Sequence, residues 1–374
     1  MKASKKKAKL LCVLHRSPPM HGAAQVGDFI AASAKINSNF ECRFITIRSS
    51  DSVADIGGFS FRKCYLMLVV FMKILSALFF FRPDRIYFTA SIRGAAFVRD
   101  LTFSLLWKAY KFFRPTHVFY HYHTKGVNDF VVRSKINLYS TRFFIKNVNL
   151  VLLGPELADD FRLVADLSSI YFLPNGVLRN STEVEVLDSL QAKFSLSSKV
   201  NVLYLSNMIK SKGYFDVLKL ALNDSSDDFI FHFAGGWQNE KDRDDFHQYI
   251  VENKLDSKVM FHGFVGGEEK KTLLLKAHLF VFPTKYAFEA FPLSILEALS
   301  YGVPIVSTNE GAIPNIVNLD TGIIVDDFIG LPVAFESAIE SLVNIETAYR
   351  CIEHYNSNFT LEKFENNFVS VLSN

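Results

Sequence analysis

Short apolar runs at regular intervals constrain the fold of this chain more than any other feature of its sequence. The runs are KLLCVLH, FECRFITIR, RIYFTAS, HVFYHYH, VNLVLLG and SIYFLPNG in the first half, and VNVLYLSN, FIFHFAGG, KVMFHGFV, LFVFPT, PIVSTN and GIIVDD in the second. Each run is too short for a helix, is bounded by turn residues and is followed by a helical pattern. This alternation predicts an α/β fold with parallel sheets, arranged as two Rossmann-like, doubly wound domains.

A polar, serine-rich stretch, GVLRNSTEVEVLDSLQAKFSLSSK, separates the two sets of runs, and 374 residues is long for one hydrophobic core. We therefore predict an N-terminal domain over residues 1–180, a linker over 181–198, a second domain over 199–350 and a C-terminal helical segment over 351–374. The last segment is expected to pack back toward the first domain. Two such domains place the carboxyl ends of their strands on either side of a cleft, where open parallel sheets bind ligands.

Charge is divided unequally between the halves. Residues 1–180 contain 26 Lys and Arg against 11 Asp and Glu, a net charge of +15, whereas the remainder contains 15 against 27, a net charge of −12. The basic half indicates a phosphate-rich ligand or an anionic membrane, with an ordinary solvated surface as the alternative. Four cysteines without paired spacing, and a basic start without a signal-peptide cleavage site, predict a reduced, cytoplasmic protein.

The stretch CYLMLVVFMKILSALFFF, residues 64–81, is long and apolar enough to be a candidate membrane span. A strand-like run follows it directly, so a span would put strands of one sheet on opposite sides of a membrane. We predict a buried crossover helix, with shallow membrane contact as the alternative. A basic, aromatic face is a second candidate for membrane contact, with solvated helix charges as its alternative; it comprises Arg93, Arg99, Lys108, Lys111 and Arg114 with Phe103, Trp107, Tyr110 and Phe112.

Two glutamates lie in the apolar segment FPTKYAFEAFPLSILEALSYGVPIV. Glu289 is predicted in the loop before a helix and Glu297 within that helix, because Pro292 is typical of a first helical turn. The backbone amides of Ala290, Phe291 and Leu293 are candidate unpaired donors at the positive helix end, which suits a phosphate. A nucleotide-diphosphate sugar would put one hydroxyl-bearing ring near each carboxylate. The alternative is an ordinary helix residue and an acid that interacts with the helix dipole.

Other candidate residues follow strand-like runs. Gly22 lies in the loop after the first run, where it allows a phosphate or sugar to approach the backbone. Lys212 and Gly213 follow VNVLYLSN, where an ammonium can neutralise a leaving diphosphate, although a surface lysine is the alternative. His121 and His123 end a run on the same face of the sheet, and two histidines alone make a poor metal site.

The motifs carry a resemblance beyond these chemical arguments. Two glutamates separated by seven residues, in the context AFPLSILEALSYGVPIVST, resemble the signature of retaining glycosyltransferases of family four, which have the two-domain GT-B fold. Similar segments extend over most of the chain, in the order SPPMHGAAQ, HYHTKG, LPNGV, LYLSNMIKSKG, FAGG, KVMFHGFV and GAIPNIV with TGIIVDD.

This resemblance implies roles for the candidate residues. Glu297 would bind the ribose of the nucleotide and Glu289 the transferred sugar, with the diphosphate held by the segment from Ala290 through Phe291 and Pro292 to Leu293. His123 matches the active-site histidine of the family, and His121 is then structural. The family usually has an arginine five residues before Lys212. This chain has Asn207 there, which lacks the bidentate charge-assisted geometry of a guanidinium and leaves more of the charge neutralisation to Lys212.

The implied function is retaining sugar transfer from a UDP- or GDP-linked sugar to a glycan acceptor in bacterial surface polysaccharide synthesis. The acceptor is expected to be linked to lipid diphosphate at the cytoplasmic membrane face, and no nucleic acid is expected as a partner. No cofactor or essential divalent metal is expected, because the one two-aspartate candidate, Asp242 with Asp244, lies in a charged helical run. The alternatives are a sugar-nucleotide epimerase of the same fold and a sugar-binding protein whose catalysis has decayed.

Overall fold

The computed structural model describes residues 6–18, 21–47, 61–166, 170–195, 199–224, 226 and 228–373. Its chain forms two compact units, one of Met1–Asn175 with Leu361–Asn374 and the other of Gly176–Thr360. We call them unit 1 and unit 2.

Unit 1 is built on a parallel sheet of six strands in the order β2-β1-β3-β4-β5-β6. Its strands are β1 (Ala8–Leu14), β2 (Phe40–Thr46), β3 (Arg85–Ala90), β4 (His117–Tyr122), β5 (Asn149–Leu152) and β6 (Ile170–Phe172). The order changes direction between β1 and β3, because β2 lies on one side of β1 and the later strands on the other. Ligands of parallel sheets bind beyond the carboxyl ends of strands at such a point.

The helices of unit 1 are α1 (Gly22–Ala32), α2 (Ala34–Asn39), α3 (Phe61–Ser76), α4 (Gly94–Phe113), α5 (Val127–Val131), α6 (Lys135–Ile145) and α15 (Leu361–Ser373), with a π-helix over Ala77–Phe81 and a 3-10 helix over Pro155–Phe161. Polar side chains begin several of them. The hydroxyl of Ser33 accepts from the amide of Ile36 at 3.0 Å, and that of Ser134 from the amide of Asn137 at 3.1 Å. These caps satisfy amide donors that a helix start leaves open.

Unit 2 has a second parallel sheet of six strands, in the order β12-β11-β10-β7-β8-β9. Its strands are β7 (Val200–Leu205), β8 (Phe229–Ala234), β9 (Val259–Gly263), β10 (Leu279–Phe282), β11 (Ile305–Thr308) and β12 (Gly322–Val325). The change of direction here falls between β7 and β10. All twelve strand predictions are therefore confirmed, together with their parallel pairing.

The helices of unit 2 are α7 (Glu183–Ser195), α8 (Tyr214–Asn223), α9 (Glu240–Glu252), α10 (Gly267–Lys276), α11 (Leu293–Ser300), α12 (Ile313–Ile316), α13 (Leu331–Ser341) and α14 (Ile345–Asn358), with a 3-10 turn over Lys210–Lys212. Asn side chains cap two of them, since Asn239 accepts from the amide of Asp242 at 2.8 Å and Asn344 from that of Thr347 at 2.9 Å.

The predicted linker over 181–198 is wrong. Most of it is helix α7, which packs on α10 and α14 through Val186 and Leu190 on its buried side, while residues 196–198 lie outside the described residues. The change of unit comes earlier, at Asn175. The predicted C-terminal segment also divides, because α14 belongs to unit 2 and only α15 to unit 1, where Arg85 donates to the carbonyl oxygens of Leu372 and Ser373.

The predicted burial of residues 64–81 is wrong as well. The segment is a crossover helix between β2 and β3, as expected, but only 22% of it is buried. Tyr65, Leu68 and Phe80 are among its exposed apolar side chains. Apolar composition alone predicts a covered helix, whereas only Val70, Ile74, Ala77 and Leu78 face the core.

Candidate active site

The direction change in unit 2 brings the loops that follow β7 and β10 together. These strands are neighbours, with Leu279 paired to Val202. Lys212 lies in the 3-10 turn after β7, and Glu289 lies in the loop between β10 and α11. Glu297 lies on α11, five residues after the N-cap Pro292. Sequence therefore predicted correctly which loop and which helix carry the two acids.

Lys212 and Glu289 form an ion pair. The Lys212 Nζ is 2.9 Å from the Glu289 Oε2, and the two side chains are only 15% and 10% exposed. That oxygen has no partner with hydrogen-bond geometry in the described part of the chain, so the contact is ionic rather than directed. The ammonium also lies over the ring of Tyr286, 5.2 Å from its centroid. A half-buried cation is thus held beside the buried acid.

Gly213 explains how the turn reaches this position. Its φ is +84°, a left-handed conformation that favours glycine, and an added Cβ would overlap the carbonyl oxygen of Pro283. The amide of Lys285 donates to the carbonyl oxygen of Ser211 at 2.7 Å. The turn therefore packs directly on the end of β10, and Gly213 acts through the backbone.

The start of α11 presents open backbone donors. The amides of Ala290, Phe291 and Leu293 donate to no acceptor within the described residues, and Pro292 has no N–H. Such a helix start carries partial positive charge and suits an anion. The loop between β11 and α12 fixes the position of this segment, because the amide of Ala312 donates to the carbonyl oxygen of Ala290 at 2.8 Å.

Glu297 has a partner that sequence reasoning missed. Lys270, on α10, donates to the Glu297 Oε1 at 2.7 Å, and the side chains are 25% and 14% exposed. The residues are 27 positions apart and belong to different helices. The run GEEKKTLLLK gives no spacing signal that distinguishes Lys270 from its neighbour Lys271.

Asn207 lies just after β7 with an exposed side chain that makes no hydrogen bond in the described chain. Its backbone is more constrained, because the carbonyl oxygen accepts from the amide of Ile209 at 2.8 Å. Lys212 is therefore the cation that the loop after β7 brings to Glu289.

In unit 1, His121 and His123 lie at the carboxyl end of β4 with ring centroids 4.1 Å apart. His121 is fully buried and its Nδ1 is 2.7 Å from the hydroxyl of Tyr87, which matches its expected structural role. Burial, with His123 adding to it, lowers the pKa of His121 well below its usual value. Burial and then His21 lower the pKa of His123 to about 3, so both imidazoles are neutral at pH 7.

The first loop is only partly described, since Pro19 and Met20 lie outside the described residues. Gly22 begins α1, and an added Cβ there would meet no atom within 4 Å. The fold itself therefore leaves room beside Gly22. His21, which the sequence analysis did not single out, caps the same helix by accepting from the amide of Ala24 at 3.3 Å. Its ring centroid lies 5.9 Å from that of His15.

The predicted basic, aromatic face is partly wrong. Arg99 is buried and paired with Asp100 at 2.7 Å, and Phe103 and Trp107 are fully buried in the core of unit 1. Phe112 is 89% exposed, as expected for a surface residue. Helix α4 therefore turns its middle aromatic residues inward, and its most exposed apolar side chains, Phe112 and Phe113, lie at its C-terminal end.

Two other features do not contribute to this chemistry. Asp242 and Asp244 lie on the surface of α9, where Asp244 pairs with Arg243 at 3.1 Å and Asp242 accepts from Asn239 at 2.8 Å. A cavity of about 780 Å³ in unit 1 lies at the amino ends of β4 and β5. Two of its lining cations, Lys111 and Arg142, already donate to backbone carbonyl oxygens, and the cavity is at the opposite end of the strands from His123.

The two parallel six-stranded sheets define the GT-B fold, and the two acids and the open amides lie where the strand order of the second sheet changes direction. Residues 189–357, a little under half of the chain, match the family described as Glycosyl transferases group 1. The chain is therefore a glycosyltransferase.

The chain is also similar to curated relatives and to solved structures of the same fold. A Klebsiella pneumoniae protein, described as an uncharacterized 41.2 kDa protein in the cps region, is 22% identical over 81% of this chain and 82% of its own. The O-antigen chain mannosyltransferase B of Escherichia coli is 30% identical over 38% of this chain and 36% of its own. The Anabaena protein HepE, solved in complex with UDP, shares the fold with a TM-score of 0.71 at 15% identity, covering 98% of this chain and 99% of its own.

Proposed function

We propose that this chain transfers a sugar, with retention of anomeric configuration, from a UDP- or GDP-linked donor to a glycan acceptor in bacterial surface polysaccharide synthesis. The observation that carries the proposal is the buried pair of Lys212 and Glu289 beside the open amides at the start of α11. The UDP complex of HepE and the activity named for the Escherichia coli relative support the donor class and the pathway class.

The donor is assigned to unit 2. Its diphosphate accepts from the amides of Ala290, Phe291 and Leu293, and Lys212 neutralises the charge that develops as the diphosphate leaves. Glu289 then contacts the transferred sugar and Glu297 the ribose. Because amides and an ammonium supply the positive charge, we propose that no divalent metal is required.

The acceptor is assigned to unit 1, with His123 in contact with the transferred sugar. A neutral imidazole has one N–H donor and one acceptor nitrogen, so it can bond a sugar hydroxyl in either sense. Retention follows from attack on the same face with the leaving phosphate taking the acceptor proton, or from a covalent intermediate on Glu289.

We also propose that the acceptor is linked to lipid diphosphate and that the chain works at the inner face of the cytoplasmic membrane. The support comes from α3 and the π-helix after it, where Phe61, Tyr65, Leu68, Met72, Phe79 and Phe80 are exposed. We call these six side chains the α3 apolar face. The first five recur at intervals of three, four or seven residues, which puts them along one side of the helix.

Charge and topology favour an anionic membrane over other partners for the α3 apolar face. Residues 61–81 contain no acidic residue, and the N-terminal half of the chain carries a net charge of +15. The strands on either side, β2 and β3, both pair with β1 in one sheet, so the helix lies along a bilayer surface rather than across it.

The experiment incubates purified protein with UDP- and GDP-linked sugars in EDTA, with and without a lipid-diphosphate-linked glycan extract. We expect a product only with acceptor, with the anomeric configuration of the donor measured by NMR. An isomerised nucleotide-sugar formed without acceptor would instead identify an epimerase. A requirement for manganese would contradict the metal-independent step, and binding of UDP or GDP without turnover of any donor would indicate decayed catalysis.

A further inference from the structure

Lys270 is a half-buried cation of unit 2 that the proposed donor site does not yet use. It donates to the Oε1 of Glu297 at 2.7 Å, and Glu297 is only 14% exposed. No other ion pair or side-chain hydrogen bond joins the Glu297 carboxylate within the described residues. Lys270 is therefore the group that fixes this carboxylate.

The contact with Lys270 occupies one oxygen of the Glu297 carboxylate and leaves the other available. A carboxylate has two oxygens, and a ribose diol is recognised when the acceptor oxygen points in one direction. Because Oε1 is held by Lys270, Oε2 is left to accept from a hydroxyl. A half-buried, charge-assisted contact of this kind orients its partner better than an exposed pair does.

Lys270 also matters because Asn207 stands where the family usually has an arginine. The loop after β7 offers an exposed amide where a guanidinium would carry charge, so Lys212 neutralises the diphosphate without help from that position. Lys270 has three N–H donors, of which Glu297 takes one. It adds positive charge on the nucleoside side of the site, next to the acid assigned to the ribose.

We propose that Lys270 is a positioning residue for the nucleoside part of the donor. It holds the Glu297 carboxylate oriented for the ribose hydroxyls, and it acts through Glu297 rather than on the reacting bond. This inference rests on the donor site proposed above.

The test compares Lys270→Met, Lys270→Arg, Glu297→Gln and the Lys270→Met/Glu297→Gln double variant. The matched control is Lys271→Met, because Lys271 lies next on α10 but pairs with Glu185 at 2.7 Å and Glu268 at 3.2 Å. Dissociation constants for UDP and GDP are measured by calorimetry, and KM and kcat with the donor that the chain uses. Melting temperatures establish that each variant is folded.

We expect Lys270→Met to raise the dissociation constant of the bound nucleotide and the donor KM by about 10-fold while kcat changes by less than about 3-fold. Lys270→Arg should recover most of the affinity, and Lys271→Met should match the unaltered protein. The double variant should bind no more weakly than Glu297→Gln alone, because the lysine acts through that acid.

The inference is overturned if Lys270→Met behaves like Lys271→Met, or if its effect adds in full to that of Glu297→Gln. A separate result would show that the proposed donor site, rather than the role of Lys270, is wrong. If Glu297→Gln leaves UDP and GDP binding unchanged, the assignment of Glu297 to the ribose is wrong whatever Lys270 does.

Discussion

Lys212 is the residue on which the proposed chemistry depends most. Its ammonium is 2.9 Å from the Glu289 carboxylate and is the cation that the loop after β7 supplies to the helix start. We expect Lys212→Ala to lower kcat by about 100-fold or more at saturating donor, because charge on the leaving diphosphate is then uncompensated. Lys210→Ala is the control, since Lys210 is in the same turn but lies over the ring of Phe215. A loss below about 10-fold, or a change in KM alone, would move the charge neutralisation elsewhere.

His121 makes stability depend on pH. Its folded pKa lies well below the usual 6.5 because it is buried, so the unfolded chain binds a proton that the folded chain does not. The contribution of His121 to the free energy of unfolding is therefore constant above about pH 7 and falls as the pH drops below 6.5. For His123, with a folded pKa of about 3, the loss at pH 5 is at most about 2 kcal/mol.

The variant that tests this pH dependence is His121→Asn, which keeps a polar partner near the Tyr87 hydroxyl and removes the titrating imidazole. We expect its urea midpoint to fall less between pH 7.5 and pH 5 than that of the unaltered chain. Equal slopes in the two proteins would show that His121 does not contribute to the acid instability.

The positions of the candidate site residues on the fold were predictable from sequence where they depend on the local order of strands and loops. Glu289 and Lys212 each follow a strand-like run of unit 2, and a parallel sheet carries such positions to one edge. His123 follows a run of unit 1 in the same way. Lys270 could not be found this way, because its contact with Glu297 depends on how α10 packs beside α11. The position of Gly22 was predicted, but its loop neighbours Pro19 and Met20 lie outside the described residues.

At the scale of elements, the loop between β11 and α12 supports the loop that carries Glu289. Gly311 has a φ of +57°, and an added Cβ would overlap the carbonyl oxygen of Glu289 and lie 2.8 Å from that of Ala290. We expect Gly311→Ala to lower the free energy of unfolding by about 2 kcal/mol and also to lower kcat/KM, measured by urea denaturation and steady-state kinetics. Gly236→Ala is the stability control, since its Cβ would meet only Phe264 at 4.0 Å. A fully stable Gly311→Ala protein would contradict this account.

Sequence predicted the strands more accurately than it predicted the domain boundary or the burial of the helices. All twelve strands were recovered, because period and turn residues are local signals. The linker was wrong because a polar, serine-rich composition also fits the exposed side of α7. The burial of α3 was wrong because hydropathy does not tell whether another element covers a helix.

For the whole molecule, the N-terminal half of the chain is basic and the C-terminal half is acidic. The N-terminal half carries +15 and the remainder −12, and the exposed α3 apolar face belongs to the basic unit. A net negative charge on the second half disfavours contact with an anionic bilayer, so unit 1 is the unit to which we assign the proposed membrane contact. Neither the net charge of +3 nor the mean composition reveals this polarity.

The membrane proposal predicts flotation with vesicles of anionic phospholipid, weaker flotation with neutral vesicles and partial release by 0.5 M salt, because attraction and apolar insertion both contribute. Phe79→Ser with Phe80→Ser should lower the partition coefficient by about 100-fold or more, since each buried Phe contributes about 1.5–3 kcal/mol. Leu319→Ser is the control, being 95% exposed on the acidic unit. If the double variant floats like the control while donor turnover is intact, the α3 apolar face has another partner and the acceptor reaches the site without it.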